Sequence, residues 1–392
     1  MDTREERIGK ALDSLRIELP SWGFANTGTR FGKYLQPEAA TCVEDKFADA
    51  AEVHALTGAC PTLALHVEWD LPNGVADVAS IRALERKYGI RSGSINPNLF
   101  EPQEYKFGSI CNPDPAVRRR AVGHLLDSVH IARGLQSRDI SLWVADGSNY
   151  PGTQSILRRI EWMEEALAET HAALDPSQRL LIEYKPFEPA FYHTDIADWG
   201  MALLLARHAG PQAVVLVDTG HHYQAQNIEQ IVVWLLREGV LGGFHFNDRR
   251  FADDDLTLGS IDPYQVFRIF HEILSVGDKA AEVAYMVDQS HNLKGKMEAM
   301  VQTVCAAQEL FARAALVDRA ELAELQDACR LVEAEECFRD AFFTDVRPVL
   351  RAWRRQRGLP EDPLAALRSG GYLERIRSQR AASNSKGASS YA

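Results

Sequence analysis

No pair among the six cysteines of this 392-residue chain has the C-x-x-C spacing; Cys42, Cys60, Cys111, Cys305, Cys329 and Cys337 are scattered. That excludes a zinc knuckle and a dithiol redox motif. No apolar run is long enough to span a bilayer, and the charged opening MDTREERIGK lacks the apolar stretch of an export signal. There is no G-x-G-x-x-G turn and no P-loop. Positive charge is in deficit: 43 Lys and Arg face 55 Asp and Glu, a formal net charge of -12. Such a surface disfavours nucleic acid and anionic membranes as partners. These absences predict a cytoplasmic protein with reduced thiols, acting on a neutral small molecule with cationic cofactors.

What is present is a regular alternation. Hydrophobic residues make up 46% of the chain, enough for a sizeable core. Eight short apolar runs read as strands, at 18–24, 62–69, 89–95, 140–145, 179–184, 213–217, 242–246 and 284–287. Amphipathic helical patterns lie between them, at 115–133, 155–171, 195–208, 228–238, 263–274 and 293–310. Strand–helix alternation repeated eight times predicts an α/β fold, a (β/α)8 TIM barrel, over residues 1–315. A doubly wound sheet is the alternative, without the glycine-rich turn that would support it. From 316 to 377 the pattern turns helical and charged, with helices expected at 319–337 and 338–357. This extension is expected to form an arm that embraces another subunit. Residues 378–392, rich in Ser and Ala, are expected to be disordered.

Four successive strands end in side chains that bind metals. They read IEYKPFEP (Glu183, Lys185), VLVDTGHH (Asp218, His221), GGFHFNDRRFADDD (His245, Asp253, Asp255) and YMVDQSH (Asp288). Side chains two apart on a strand share a face, so Val214, Leu216 and Asp218 form one inward row, and Glu183 points the same way as Lys185. His66, Glu68 and Asp70 are expected to share a face on the second strand. A barrel interior is apolar below and polar at its C-terminal rim, where these groups fall. Glu183, Asp218, His245 and Asp288 would make one metal site. Asp218, His221, Asp253 and Asp255 would make a second, with Asp218 bridging. Carboxylates with few imidazoles and no thiolate favour Mn²⁺, with Mg²⁺ or Co²⁺ as alternatives, over structural Zn²⁺.

Each residue also has a plain structural reading. A lone Asp218 is better explained as a cap or ion-pair member, and a lone His245 or His66 as a hydrogen-bonded core histidine. Company on neighbouring strands tips Asp218 and His245 to ligands. Asp254, between two expected ligands, should point away to solvent. Trp22, Phe100 and Trp143 read equally as core aromatics.

The segments LFEPQEYKFGS, LWVADGSNYPG, EYKPFEPAFY, VDTGHH, GGFHFND, DDDL and MVDQSHN resemble L-rhamnose isomerases of the Pseudomonas type, within the xylose-isomerase-like barrels. The resemblance runs from PSWG near Trp22 to SGGYLERIR near Tyr372. It implies the same two-metal ligand roles, His66 and Trp22 as sugar-binding groups, Phe100 and Trp143 as pocket walls, and Lys185 bonded to a substrate oxygen. It implies a homotetramer in which Phe31, in TGTRF, reaches a neighbouring subunit's site. The implied reaction is aldose–ketose isomerisation of L-rhamnose or a related monosaccharide by hydride shift, with Asp255 accepting a proton from a water beside the second ion. An enediol route is the competing mechanism. A ketose 3-epimerase is the alternative activity; it would want a second Glu on the eighth strand, where Asp288 stands. A zinc endonuclease would want more histidine ligands and a basic groove, and a catalytically dead scaffold would show broken ligands.

Overall fold

The structure, a computed structural model, describes residues 3–29, 32–188, 192–290 and 293–384. Eight parallel strands close into a barrel: β1 (Ile17–Pro20), β2 (Thr62–His66), β3 (Arg91–Asn96), β4 (Asp139–Leu142), β5 (Arg179–Glu183), β6 (Ala213–Asp218), β7 (Leu241–Phe246) and β8 (Ala284–Val287). Each pairs with its neighbours in chain order and β8 returns to β1, so the sheet has no edge. The eight expected strands and the TIM-barrel class are both present.

Helix starts follow short polar caps. Ser155, Asp198, Asn227 and Asp262 each accept a backbone N–H from the first turn of the helix that follows. The cap at Asp198 explains why that helix is Trp199–Ala209 and begins later than its apolar pattern.

Three expected strands stop early: β4 ends at Leu142, short of 145, and the first two give way to helical turns. β1 ends at Pro20 and continues as a tight helical turn, Ser21–Phe24. β2 ends at His66 and is followed by the helical turn Val67–Asp70. The Asp70 carboxylate causes the second bend, accepting hydrogen bonds from His66 N at 2.9 Å and Ser21 Oγ at 2.5 Å and taking Lys46 Nζ at 2.5 Å. Glu68 and Asp70 therefore do not share a strand face with His66.

The C-terminal extension is helical, but its two expected helices are divided into Arg319–Asp327, Leu331–Phe343 and Arg347–Gln356. Cys329, at φ 54°, makes the first break. The extension packs on its own barrel. Phe338 and Phe342 meet Phe267 at 4.8 and 5.3 Å between ring centroids, and Trp353 Nε1 donates to Asp13 at 3.0 Å. The last helix, Tyr372–Arg380, runs past Ser378, and Asn384 is hydrogen-bonded, so an ordered chain continues beyond the expected start of the disordered tail. Arg380 accounts for this: its guanidinium is buried against Asp49 at 2.8 Å. Residues 385–392 lie outside the described ones. No helix among the described residues is long and apolar enough to cross a membrane.

Candidate metal centre

Pairing register brings the strand ends level. Leu216 on β6 stands beside Glu183 on β5, and Asp218 stands beside His245 on β7. Below them Leu181, Val214 and Leu216 form a small interior cluster separate from the main core. One step further along the same inward rows come Glu183 and Asp218, as the two-residue period requires. Asp288 follows β8 directly, its N–H donating to Phe246 O at 3.0 Å.

Ligand atoms of Glu183, Asp218, His245 and Asp288 all lie within 4.8 Å of one another. Those of Asp218, His221 and Asp253 form a second such group, sharing Asp218. Asp255, expected in the second set, lines the same pocket but is not part of that group. Its backbone is left-handed, at φ 46°. Asp254 does turn away from the pocket, accepting the N–H groups of Arg250 and Phe251, but it is half-buried, not solvent-exposed. A Cβ at Gly220 would lie 2.4 Å from Asn247 Oδ1 and 2.6 Å from Asp253 Oδ1, so a side chain there would displace those groups.

Asp218 is fully buried. Its Oδ1 accepts from Gly220 N at 2.6 Å and Asn247 Nδ2 at 2.9 Å, while its Oδ2 has no hydrogen-bond partner. Burial pushes its pKa up to about 7, against the pull of His221. Asp253 likewise keeps Oδ1 unpartnered, while its Oδ2 takes Lys185 Nζ at 2.5 Å and lies 3.2 Å from His221 Nε2. Buried acceptors without donors are costly unless something cationic meets them.

The two imidazoles answer the same field. His245 Nδ1 lies 3.2 Å from Glu183 Oε1 and 3.5 Å from Asp288 Oδ2. Burial opposes charge on His245, but Glu183 and then Asp288 outweigh it and raise its pKa to about 9. His221, also opposed by burial, is raised to about 9 by Asp218 and Asp253. The carboxylates thus hold two cations where the chemistry of the donor set fits divalent ions. Two unpartnered carboxylate oxygens, one shared aspartate and a Gly220 cradle all suit such ions.

One wall of the pocket is aromatic. His66, at the end of β2, sits 4.7 Å from Trp22 and 5.9 Å from Phe100 between ring centroids, and Phe100 sits 5.1 Å from Trp143. Trp22 Nε1 donates to Asp288 Oδ1 at 2.7 Å, which ties that wall to the acidic cluster. Burial drives the His66 pKa down to about 3, so the ring is neutral, and its Nδ1 is buried without a partner. These residues, Lys185 and the carboxylates enclose a cavity of about 230 Å³. Phe31 lies outside the described residues.

Four lining residues escaped the sequence reading: Trp69, Asn96, Pro97 and Ser141. Trp69 lies 4.1 Å from His66 and donates Nε1 to Glu101 at 2.8 Å. Ser141 lines the floor with Asn96, and both Ser141 Oγ and Trp143 Nε1 are buried without a partner. The period-two rule applied to β4 would have found Ser141 two residues before Trp143. Trp69 gave no such signal, because the helical turn that carries it is made by Asp70.

Residues 59–277 match the family described as the xylose isomerase-like TIM barrel. The chain belongs to that family. A probable sugar isomerase of Rhizobium meliloti is 38% identical over 374 residues, 93% of this chain and 86% of its own length. Another, of Mesorhizobium japonicum, is 37% identical over 394 residues, 97% of this chain and 91% of its own length. The xylose isomerase of Thermus thermophilus is 25% identical over 181 residues, 44% of this chain and 46% of its own. Among solved structures, an L-ribulose 3-epimerase superposes with a TM-score of 0.56 at 17% identity, covering 79% of this chain and 98% of its own. That last likeness concerns the fold alone.

Proposed function

We propose that this chain is a metal-dependent aldose–ketose isomerase, interconverting L-rhamnose and L-rhamnulose or a related pair such as D-allose and D-psicose or D-ribose and D-ribulose. One observation carries the reading: Asp218, fully buried with a spare oxygen, belongs to two ligand groups at once. A one-metal epimerase has no use for the second group. The relatives named probable sugar isomerases, matched over nine-tenths of the chain, support the same class.

Glu183, Asp218, His245 and Asp288 would hold one ion, and Asp218, His221 and Asp253 the other, with Asp255 beside them. Mn²⁺ suits the oxygen-rich set, and Co²⁺ or Mg²⁺ would also fit. When bound, such ions polarise substrate oxygens and lower the pKa of water. The remaining work belongs to the chain. Trp22, Phe100 and Trp143 exclude water and wall in the open-chain sugar, so that hydrogen passes between C2 and C1 within a dry pocket. Neutral His66 is suited to hydrogen-bond the ring oxygen as the sugar opens. Lys185, held charged by Asp253 despite burial, would donate to a substrate oxygen. Asp255, whose pKa burial and the Asp253 charge raise well above the usual range, is suited to accept and return a proton. A homotetramer with Phe31 crossing to a neighbour's site belongs to the same reading, and a monomer in sedimentation would remove that part.

The deciding assay strips the protein with EDTA, restores Mn²⁺, and follows L-rhamnose, D-allose and D-ribose. Ketose formation that vanishes and returns is the expected outcome. Inertness toward every aldose, with exchange at C3 of a ketose, would instead establish the epimerase.

A further inference from the structure

Beyond Trp22 and Trp69, on the side away from the acidic cluster, a second cavity of about 430 Å³ adjoins the first. Asn26, Thr27, Lys46 and Ser290 also line it. Asn26 follows closely on the helical turn Ser21–Phe24 that carries Trp22. Its side-chain hydrogen bonds run to Gln36 and to the C-terminal segment. Asn26 Oδ1 accepts Gln36 N at 2.8 Å, and Asn26 Nδ2 donates to Asn384 Oδ1 at 2.9 Å.

Asn384 makes two further bonds to the same region, donating Nδ2 to Ala39 O at 2.9 Å and to Pro37 O at 3.4 Å. Four residues earlier, Arg380 donates to Glu38 O at 2.9 Å. Arg380 is itself fixed, with Nη1 and Nη2 on the two oxygens of buried Asp49 at 2.8 and 3.0 Å, and Tyr372 donates its hydroxyl to Asp49 at 2.6 Å. The other side of the segment is tied to the chain that follows Asp288 after β8. Thr27 Oγ1 donates to Ser290 O at 3.1 Å, and Gln36 Nε2 donates to Lys294 O at 2.6 Å. Ala40 N donates to Phe24 O at 2.9 Å, closing the segment on the Trp22 turn.

We infer that Asn384, anchored through Arg380, is a positioning residue for the sugar pocket: it holds Asn26 and the 36–39 backbone so that the Trp22 wall is set before substrate arrives. The inference rests on the isomerase reading above, because the wall matters only if Trp22 faces a sugar. Asn384 touches neither the expected ligands nor the cavity. Its loss should therefore weaken binding alike in ground and transition states, raising KM and sparing kcat. A residue that merely supported the barrel would lower stability and leave the KM of the folded fraction unchanged.

The test compares manganese-loaded full-length protein, Asn384→Ala, and a chain ending after Asn384. In Asn384→Ala, amide exchange across 22–41 should quicken while the barrel strands and the melting temperature stay as they were. KM for the aldose should rise about three- to tenfold with kcat within about twofold, as expected for lost uniform binding. The chain ending after Asn384 should match the full chain. Unchanged exchange at 22–41 in Asn384→Ala, or a fall in kcat at constant KM, would overturn the inference. If the full-length protein turns over no aldose, the isomerase reading fails, while the exchange comparison still decides whether Asn384 holds the segment.

Discussion

At the N-terminal end of the barrel Asp139 accepts hydrogen bonds from Arg138 and Arg179, and the half-buried Glu18 accepts from Ser94 N and Oγ. At the C-terminal end Asp218 and Asp253 each keep a buried oxygen that accepts nothing. Both ends gather carboxylates, but guanidinium groups meet both oxygens of Asp139, whereas Asp218 and Asp253 each keep one oxygen free. A third cluster sharpens the point. Ligand atoms of Cys111, Asp146 and Asp195 also lie within 4.8 Å of one another, as close as the candidate centre. There, however, Arg159 forks onto Asp195 at 2.9 and 2.7 Å, and Asp146 takes Ser109 N, Ser109 Oγ and Cys111 N. Spare acceptor capacity, not proximity, separates a ligand set from a structural network.

The hardest test of that distinction is Asp218→Asn. The amide keeps the shape but loses the charge and the shared oxygen, so both groups should lose their ion and turnover should fall to background, read by metal analysis and the aldose assay. Metal-free stability should hold or rise, because the fold resists the Asp218 charge, as its raised pKa shows. Near-normal metal content would erase the contrast between the two ends.

A second test is pH applied to the chelated protein. His221 and His245 have pKa values raised to about 9 in the fold against an ordinary value of 6.5. Groups raised in this way stabilise the folded state fully below the unfolded value and lose that contribution as pH rises through the folded one. Asp218, raised to about 7, is half-titrated at the start of that range and completes its change by about pH 8, adding a small loss of the same sign. The metal-free protein should therefore lose stability between pH 7 and 9, on the order of 2 kcal/mol for one such imidazole. Mn²⁺ should blunt the loss, since it replaces the protons, and its apparent affinity should climb over the same range. A melting temperature flat from pH 7 to 9 would show that the carboxylates do not hold these rings charged.

These contrasts mark how far sequence reading reached. The barrel was legible because its strands are short apolar runs, and β6, AVVLVD, carries Asp218 at the end where the interior turns polar. That Glu183, Asp218, His245 and Asp288 would converge was legible for the same reason, each sitting near or just after a strand end. What was hidden depends on pairs distant in sequence. Asp70 bends the chain after β2 only because Lys46, Ser21 and His66 N converge on it. Asp255 stands apart from the second ligand group through a left-handed backbone that residue identity does not announce. Asn384 reaches Asn26 across 358 positions, and nothing in a tail made mostly of Ser and Ala announces that its one asparagine is anchored.

The smallest expected effect lies at the opposite end of the barrel. Asp139→Ala removes the carboxylate that Arg138 and Arg179 share, leaving two guanidinium groups with fewer acceptors. A fully buried pair broken on one side costs about 3–5 kcal/mol. Here the Arg138 side chain is 39% exposed and that of Arg179 16%, so water replaces part of what is lost. The expected cost is about 1–2 kcal/mol after that screening, with a fall of a few degrees in melting temperature for a domain of this size. Metal content and turnover per folded molecule should not change, because this end of the barrel has no carboxylate waiting for an ion. A loss of metal or activity on Asp139→Ala, at intact fold, would mean that the two ends communicate, and that spare acceptor capacity at the C-terminal end depends on charge balance at the other.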